Sequence, residues 1–145
     1  MIKNIVNLGD TSIYCDFGNN VNKDTNLKVI KFFKTLQTKK FKEITNLSPS
    51  YNKLIVTFDL HETSFNELKE KLLNIDIDYK LITSSQKIKI PICCDNEYAL
   101  DIERLENKLK LKKKNIINYF LNKTYYCYMT GFVAGMPFLG DVSNS

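Results

Sequence analysis

Leu54-Ile55-Val56-Thr57-Phe58 presents almost no polar face. A run of that kind fits a central strand covered by its neighbours, so the chain must build a sheet around it. The flanking segments supply the partners. Asn4 to Leu8 and Ser12 to Phe17 read as short strands around the turn Gly9-Asp10, and in the second the apolar residues nearly alternate. A helix follows, with Asp24 or Thr25 as its N-cap. Its stripe of Val29, Phe32, Phe33 and Leu36 falls at i, i+3, i+4 and i+7. Phe41 to Asn46 reads as the next strand, separated from Leu54 by the polar stretch Leu47 to Lys53. Ser64 with Glu67 three residues on forms a capping box. It opens a second helix whose apolar stripe is Phe65, Leu68, Leu72 and Ile75. Asp78 to Ile82 reads as a returning strand.

Strand, helix, strand, strand, helix, strand is the split β-α-β order of a ferredoxin-like α+β domain. Two amphipathic helices on one face of an antiparallel sheet close a core within about 85 residues. The polar break Thr83-Ser84-Ser85-Gln86 sets the boundary, giving an α+β domain over 1–85 and a second unit over 86–145. That second unit opens with Lys87-Ile88-Lys89-Ile90-Pro91-Ile92-Cys93, which alternates strictly up to a proline and reads as an edge strand or strand end. A helix with Leu100 or Ile102, Leu105 and Leu109 inward follows, then a short one carrying Ile116, Ile117, Phe120 and Leu121. Tyr125 to Thr130 is strand-like. Three of the chain's five glycines then fall between positions 131 and 140, interleaved with Phe132, Met136, Phe138 and Leu139. By residue chemistry alone this is a tight strand-end turn with a packed apolar rim. The unit lacks a sheet for its apolar faces, and unpaired strand edges invite association.

Composition narrows the function classes. Of 21 basic residues only Arg104 is arginine, and the net charge is +5. Readers of nucleic acid lean on arginine for bidentate contacts, so no nucleic-acid partner is expected. The densest run, Lys108 to Lys114, reads as a solvated helix face and turn. No apolar run is long enough to span a bilayer, and the N-terminus has no signal-peptide core, which points to a cytoplasmic protein without a membrane partner. Cys15, Cys93, Cys94 and Cys127 form no C-x-x-C and have no paired histidines, so no metal site is expected. Each lies in an apolar strand-like run and reads as buried packing. His61 is the sole histidine. Cys–His and Ser–His catalysis are therefore not expected, and the catalytic residues stay unassigned.

Four blocks resemble the 5-oxoprolinase B-subunit family, also described as allophanate hydrolase subunit 1 and as the kinase inhibitor KipI. Gly9-Asp10-Thr11 through Phe17-Gly18 is similar to the family's opening G-D-x-A-x-x-V-x-F-G. Pro49 to Val56 resembles P-x-Y-x-S-L-x-V, and Ile90-Pro91-Ile92-Cys93 resembles I-P-V-C-Y. The most specific block, Tyr128 to Gly140, is similar to Y-x-x-G-F-x-P-G-F-P-Y-L-G. The sequence departs from these patterns at Cys94, Asp95, Asn96, Phe120, Ala134, Met136 and Asp141. The family's pattern also runs on past the position of Ser145, so the chain reads as C-terminally truncated: a shortened reading frame, a split gene or a degenerating subunit.

The resemblance implies a ferredoxin-like first domain and the beginning of a cyclophilin-like β-barrel over 86–145. It implies a subunit, not catalytic alone, of a complex that couples ATP hydrolysis to opening of 5-oxoproline to glutamate. The partners would be the other 5-oxoprolinase subunits. The chain carries no phosphate-cradling glycine-lysine run, so no cofactor is expected on it, with ATP bound at the level of the complex. The alternatives are a KipI-like inhibitor of a sensor histidine kinase and an inactive remnant. The same resemblance raises the glycine stretch to a substrate or partner rim: Gly131, Phe132, Gly135, Met136, Pro137, Phe138 and Gly140. The segment Pro49 to Lys53, with Pro49 and Tyr51, is a second candidate loop.

Overall fold

A computed structural model describes residues 2–77, 86–131, 133 and 135–140. The chain divides into two compact units, residues 1–84 with 126–145, and residues 85–125. In the first, β1 (Asn4–Asn7), β2 (Ser12–Asp16), β3 (Ile44–Pro49) and β4 (Lys53–Phe58) form an antiparallel sheet in the order β1-β2-β4-β3. The apolar run Leu54–Phe58 does lie inside the sheet, between β2 and β3. Helix α1 (Lys23–Lys39) joins β2 to β3, and α2 (Phe65–Leu73) follows β4.

Alternation sorts the side chains. Ile5, Cys15 and Leu54 stand in register across three strands, with Ile13 and Val56 one step along. All are buried with Phe58, against Val29, Phe32 and Leu36 of α1 and Leu68 and Leu72 of α2. Phe17 meets Phe32 edge-on, ring centroids 5.7 Å apart. The capping box of α2 is present in both directions, and Phe65 and Ile75 pack at the margin of the core.

Local details differ from the sequence reading. Helix α1 is capped by Asn22, whose Oδ1 accepts from Thr25 N at 2.9 Å, so the helix begins ahead of Asp24. Strand β3 spans Ile44–Pro49, not Phe41–Asn46. Residues 41–43 make a turn closed by Ile44 N donating to Phe41 O, and Pro49 ends the strand at a sheet edge, where a missing N–H is tolerated. The expected strand Asp78–Ile82 lies outside the described residues.

Two ion pairs join neighbouring elements of this unit. Lys53 Nζ pairs with Asp16 between the adjoining β4 and β2 and also donates to Gly18 O at 3.1 Å. Lys71 of α2 pairs with Glu43, which is 5% exposed. The lysine beside each carboxylate holds Asp16 and Glu43 below their ordinary values, through the hydrogen bond first. A depressed folded value means that the unfolded chain binds more protons in that interval, so stability is lost as pH falls. We expect a melting temperature flat above about pH 5 that declines as pH drops through the carboxylate range. Lys71→Met should remove Glu43's share of that slope. An unchanged slope in a melt series from pH 6 to 3 would count against the assignment.

The second unit carries α3 (Ile102–Leu109) and α4 (Lys113–Leu121). Neither helix has a fully buried side chain. Ile102, Leu105, Ile116 and Ile117 are half-buried, whereas Leu100, Leu109, Phe120 and Leu121 are exposed. The inward stripe is thus narrower than its apolar content, because two short helices offer each other little cover. Lys110 takes the left-handed conformation that ends α3, and Lys113 N donates to Glu106 Oε1 at the start of α4. The expected strand Lys87–Cys93 is not formed. These residues are exposed and pair with no strand among the described residues; alternation makes a sheet only where an edge is paired. The buried reading holds for Cys15 alone. Cys93 and Cys127 are exposed and Cys94 is intermediate, since an apolar run buries its cysteine only where a facing element exists.

Candidate functional site

The glycine-rich stretch is a hairpin. Strand β5 (Tyr126–Thr130) pairs antiparallel with β6 (Pro137–Gly140), from Tyr126 opposite Gly140 to Thr130 opposite Pro137. Pro137 and Gly140 are poor strand formers, so residue chemistry predicts a loop over 137–140. Here Pro137 opens the strand and Gly140 ends it, the positions at which each is tolerated. The register slips between Cys127 and Met129, which leaves Tyr128 in a bulge, a device that re-aims a side chain. Tyr128 is 2% exposed. A Cβ on Gly140 would lie 2.5 Å from Tyr128 Cε2, so this glycine is required for close approach. Gly135 has φ +81 with open space around it, and is required for backbone conformation instead.

The hairpin seats on the second candidate loop. Tyr51 packs against Tyr128 at 5.4 Å and against Phe138 at 6.3 Å between ring centroids, and Tyr126 meets Tyr128 edge-on at 4.8 Å. Ser50 Oγ approaches Met129 Sδ at 3.4 Å. Pro49 lies in β3 opposite Leu54. Of the predicted rim, Pro137 and Phe138 are half-buried, while Met136 and neighbouring Val133 and Leu139 are exposed. Gly131 N donates to Met136 O and closes the turn; Phe132 lies outside the described residues.

Asn26, which sequence reading did not single out, ties these parts together. It is 1% exposed in the first turns of α1. Its Nδ2 donates to Ser50 O at 3.1 Å, Tyr51 O at 2.8 Å and Tyr128 O at 3.1 Å, and its Oδ1 accepts from the Tyr126 hydroxyl at 2.9 Å. Burial, with a smaller contribution from Cys127, raises the Tyr126 hydroxyl above its ordinary value and keeps it a donor. Lys23 Nζ stands over the same ring at 5.6 Å. A signal existed in the sequence: Asn26 sits three residues before Val29 and extends the apolar stripe with a polar side chain.

Chemically, the seat holds amides, phenols and apolar groups, which bind and orient. The N–H groups of Gly131, Val133 and Met136 donate within the turn, so these three are spent and do not form an anion cradle. Among the described residues no group of three or more His, Cys, Asp or Glu side chains is placed to hold a metal ion. Two depressions elsewhere in this unit, one lined by Phe33, Leu36 and Phe41 and the other by His61 and Glu67, include none of the hairpin residues.

A family model described as carboxyltransferase domain, subdomain C and D, matches residues 3–145. The chain belongs to that family. Among curated proteins, the B subunit of 5-oxoprolinase from Bacillus subtilis (strain 168) is 28% identical over 153 residues, covering 96% of this chain and 63% of that protein. The chain thus spans less than two thirds of that relative, and the resemblance read from its motifs holds. Two crystal forms of a protein designated TTHA0988 superimpose with TM-scores of 0.77 and 0.72. Both are 22% identical, covering 91% and 92% of this chain and 26% and 25% of theirs. At that identity the likeness is one of fold. This family member is an α+β protein with antiparallel sheets, and no helix among its described residues is long and apolar enough to cross a membrane.

Proposed function

We propose that the chain acts as a subunit, not catalytic alone, of an ATP-dependent 5-oxoprolinase complex that opens 5-oxoproline to glutamate. The observation that carries this reading is the similarity to the B subunit of 5-oxoprolinase along 96% of the chain. The hairpin seat supports it: the most family-like block of the sequence is held against the second family-like block by Asn26 and Tyr51. Exposed Val133, Met136 and Leu139 on a hairpin that also carries the buried Tyr128 suit contact with another protein or closure over a small substrate. Under this reading the rim encloses and positions, ATP binds elsewhere in the complex, and the complex works in the cytoplasm.

The fold assignment belongs to the same proposal. The helix-linked strands β2 and β3 flank β4, the split β-α-β order of a ferredoxin-like domain, which we set at 1–85. Residues 86–145 then belong to a cyclophilin-like domain whose hairpin docks on the first. The test is co-purification with candidate partner subunits, followed by an assay for glutamate that depends on both ATP and 5-oxoproline. Association with glutamate formation is expected, and Gly135→Val should lower the rate about tenfold if the turn shapes the rim, which corresponds to about 1.4 kcal/mol. Neither association nor glutamate would refute the subunit reading. Full activity of the Gly135 variant would remove the rim from it.

A further inference from the structure

Cys93 and Cys94 are neighbours in the chain, and neither is buried: Cys93 is exposed and Cys94 half-buried. Cys94 is one of the departures from the I-P-V-C-Y pattern, which has tyrosine there. The two thiols stand just ahead of a turn in which Tyr98 N and Ala99 N donate to Asp95 O at 3.0 and 2.9 Å. The peptide between them is trans, which sets their Cα atoms about 3.8 Å apart. A disulfide ordinarily spans about 4.4–6.8 Å between Cα atoms, so the pair is poorly placed for a direct S–S bond. A single atom bonded to both sulfurs lengthens the link and removes that restriction.

We infer that Cys93 and Cys94 together form a capture site for trivalent organoarsenicals, held by both sulfurs. The donor count decides the ligand class. Sulfur ligands select soft centres. Zinc in a closed site takes four ligands, and among the described residues no group of three or more His, Cys, Asp or Glu side chains is placed to hold a metal ion. An organoarsonous acid carries one As–C bond and two exchangeable As–OH groups, so two thiols complete it. Two As–S bonds form as two As–O bonds break. Each thiol proton leaves with a hydroxide as water and arsenic stays trivalent, so the exchange needs no oxidant or reductant. When one As–S bond opens, the second sulfur keeps the arsenic at high effective concentration for reclosure, an advantage that a single thiol lacks. Neither of the other cysteines has a cysteine beside it in the chain. Cys15 is buried, and burial pushes its thiol up to about 12. Cys127 is exposed but flanked in β5 by Tyr126 and Tyr128.

Phenylarsine oxide, which hydrates to phenylarsonous acid, is the probe. It is added at one equivalent to the reduced, folded chain, and the product is read by intact mass. One adduct per chain should form, persist against excess glutathione and be removed by the dithiol dimercaprol. Of the cysteines that are not buried, only Cys127 should then stay open to a maleimide. Cys93→Ser and Cys94→Ser should each lower the resistance to glutathione by about a hundredfold or more, with an unchanged melt, while Cys127→Ser should keep it. A parent chain with no glutathione-resistant adduct would overturn the site. So would an adduct that survives either serine variant at 93 or 94, or one that is lost in Cys127→Ser. None of these outcomes depends on oxoprolinase activity.

Discussion

Asn26→Ala is expected to destabilise the first unit by about 3 kcal/mol and to loosen the hairpin from its seat. Unpaired buried polar groups cost about 1–3 kcal/mol each. The Tyr128 carbonyl and the Tyr126 hydroxyl both lose Asn26 as partner. The Ser50 and Tyr51 carbonyls lie nearer the surface, where water compensates them in part. Asn26→Asp keeps the shape but sets a carboxylate against three carbonyls, so it should be at least as damaging. The measurements are a thermal melt, with a fall of roughly 10 °C or more, and amide exchange at Tyr128 to Thr130. A variant within about 0.5 kcal/mol of the parent and with unchanged exchange there would show that the aromatic contacts alone hold the hairpin.

Gly140→Ala should cost about 2 kcal/mol, within the range for overpacking. The added methyl would lie 2.5 Å from Tyr128 Cε2 and 3.0 Å from Cδ2. The ring has little room to yield, with Tyr126 at 4.8 Å and Tyr51 at 5.4 Å. The cause is steric, so shortening the neighbour should relieve it. In Tyr128→Leu the further cost of Gly140→Ala should nearly vanish, a coupling that a double-mutant cycle reads directly. Equal costs in both backgrounds would place the constraint in the backbone instead.

Much of the first sheet and both of its helices could be read from periodicity. The Leu54–Phe58 run predicted an interior strand, and Ser64 with Glu67 predicted the entry of α2. Both features are local, and local pattern is what a sequence displays. The misplacements occur where a partner decides the outcome. Lys87–Cys93 alternates like a strand but joins no ladder among the described residues, and Cys127 lies in an apolar run yet is exposed. Family-like motifs marked the two loops of the candidate site, yet they did not show that Tyr51 and Phe138 would meet. Asn26 was hidden because its value arises from carbonyls 24, 25 and 102 residues away.

That last separation has a cost in chain entropy. Closing a flexible loop of about 100 residues carries roughly 4 kcal/mol plus a constant, from (3/2)RT ln n. A bare two-stranded hairpin is marginal in water and does not offset such a term. The docking therefore draws on a buried amide with several bonds and a cluster of tilted and edge-on aromatic contacts. Helices α3 and α4 act on the same balance. By folding part of the intervening chain they leave fewer free residues to be closed when the hairpin docks.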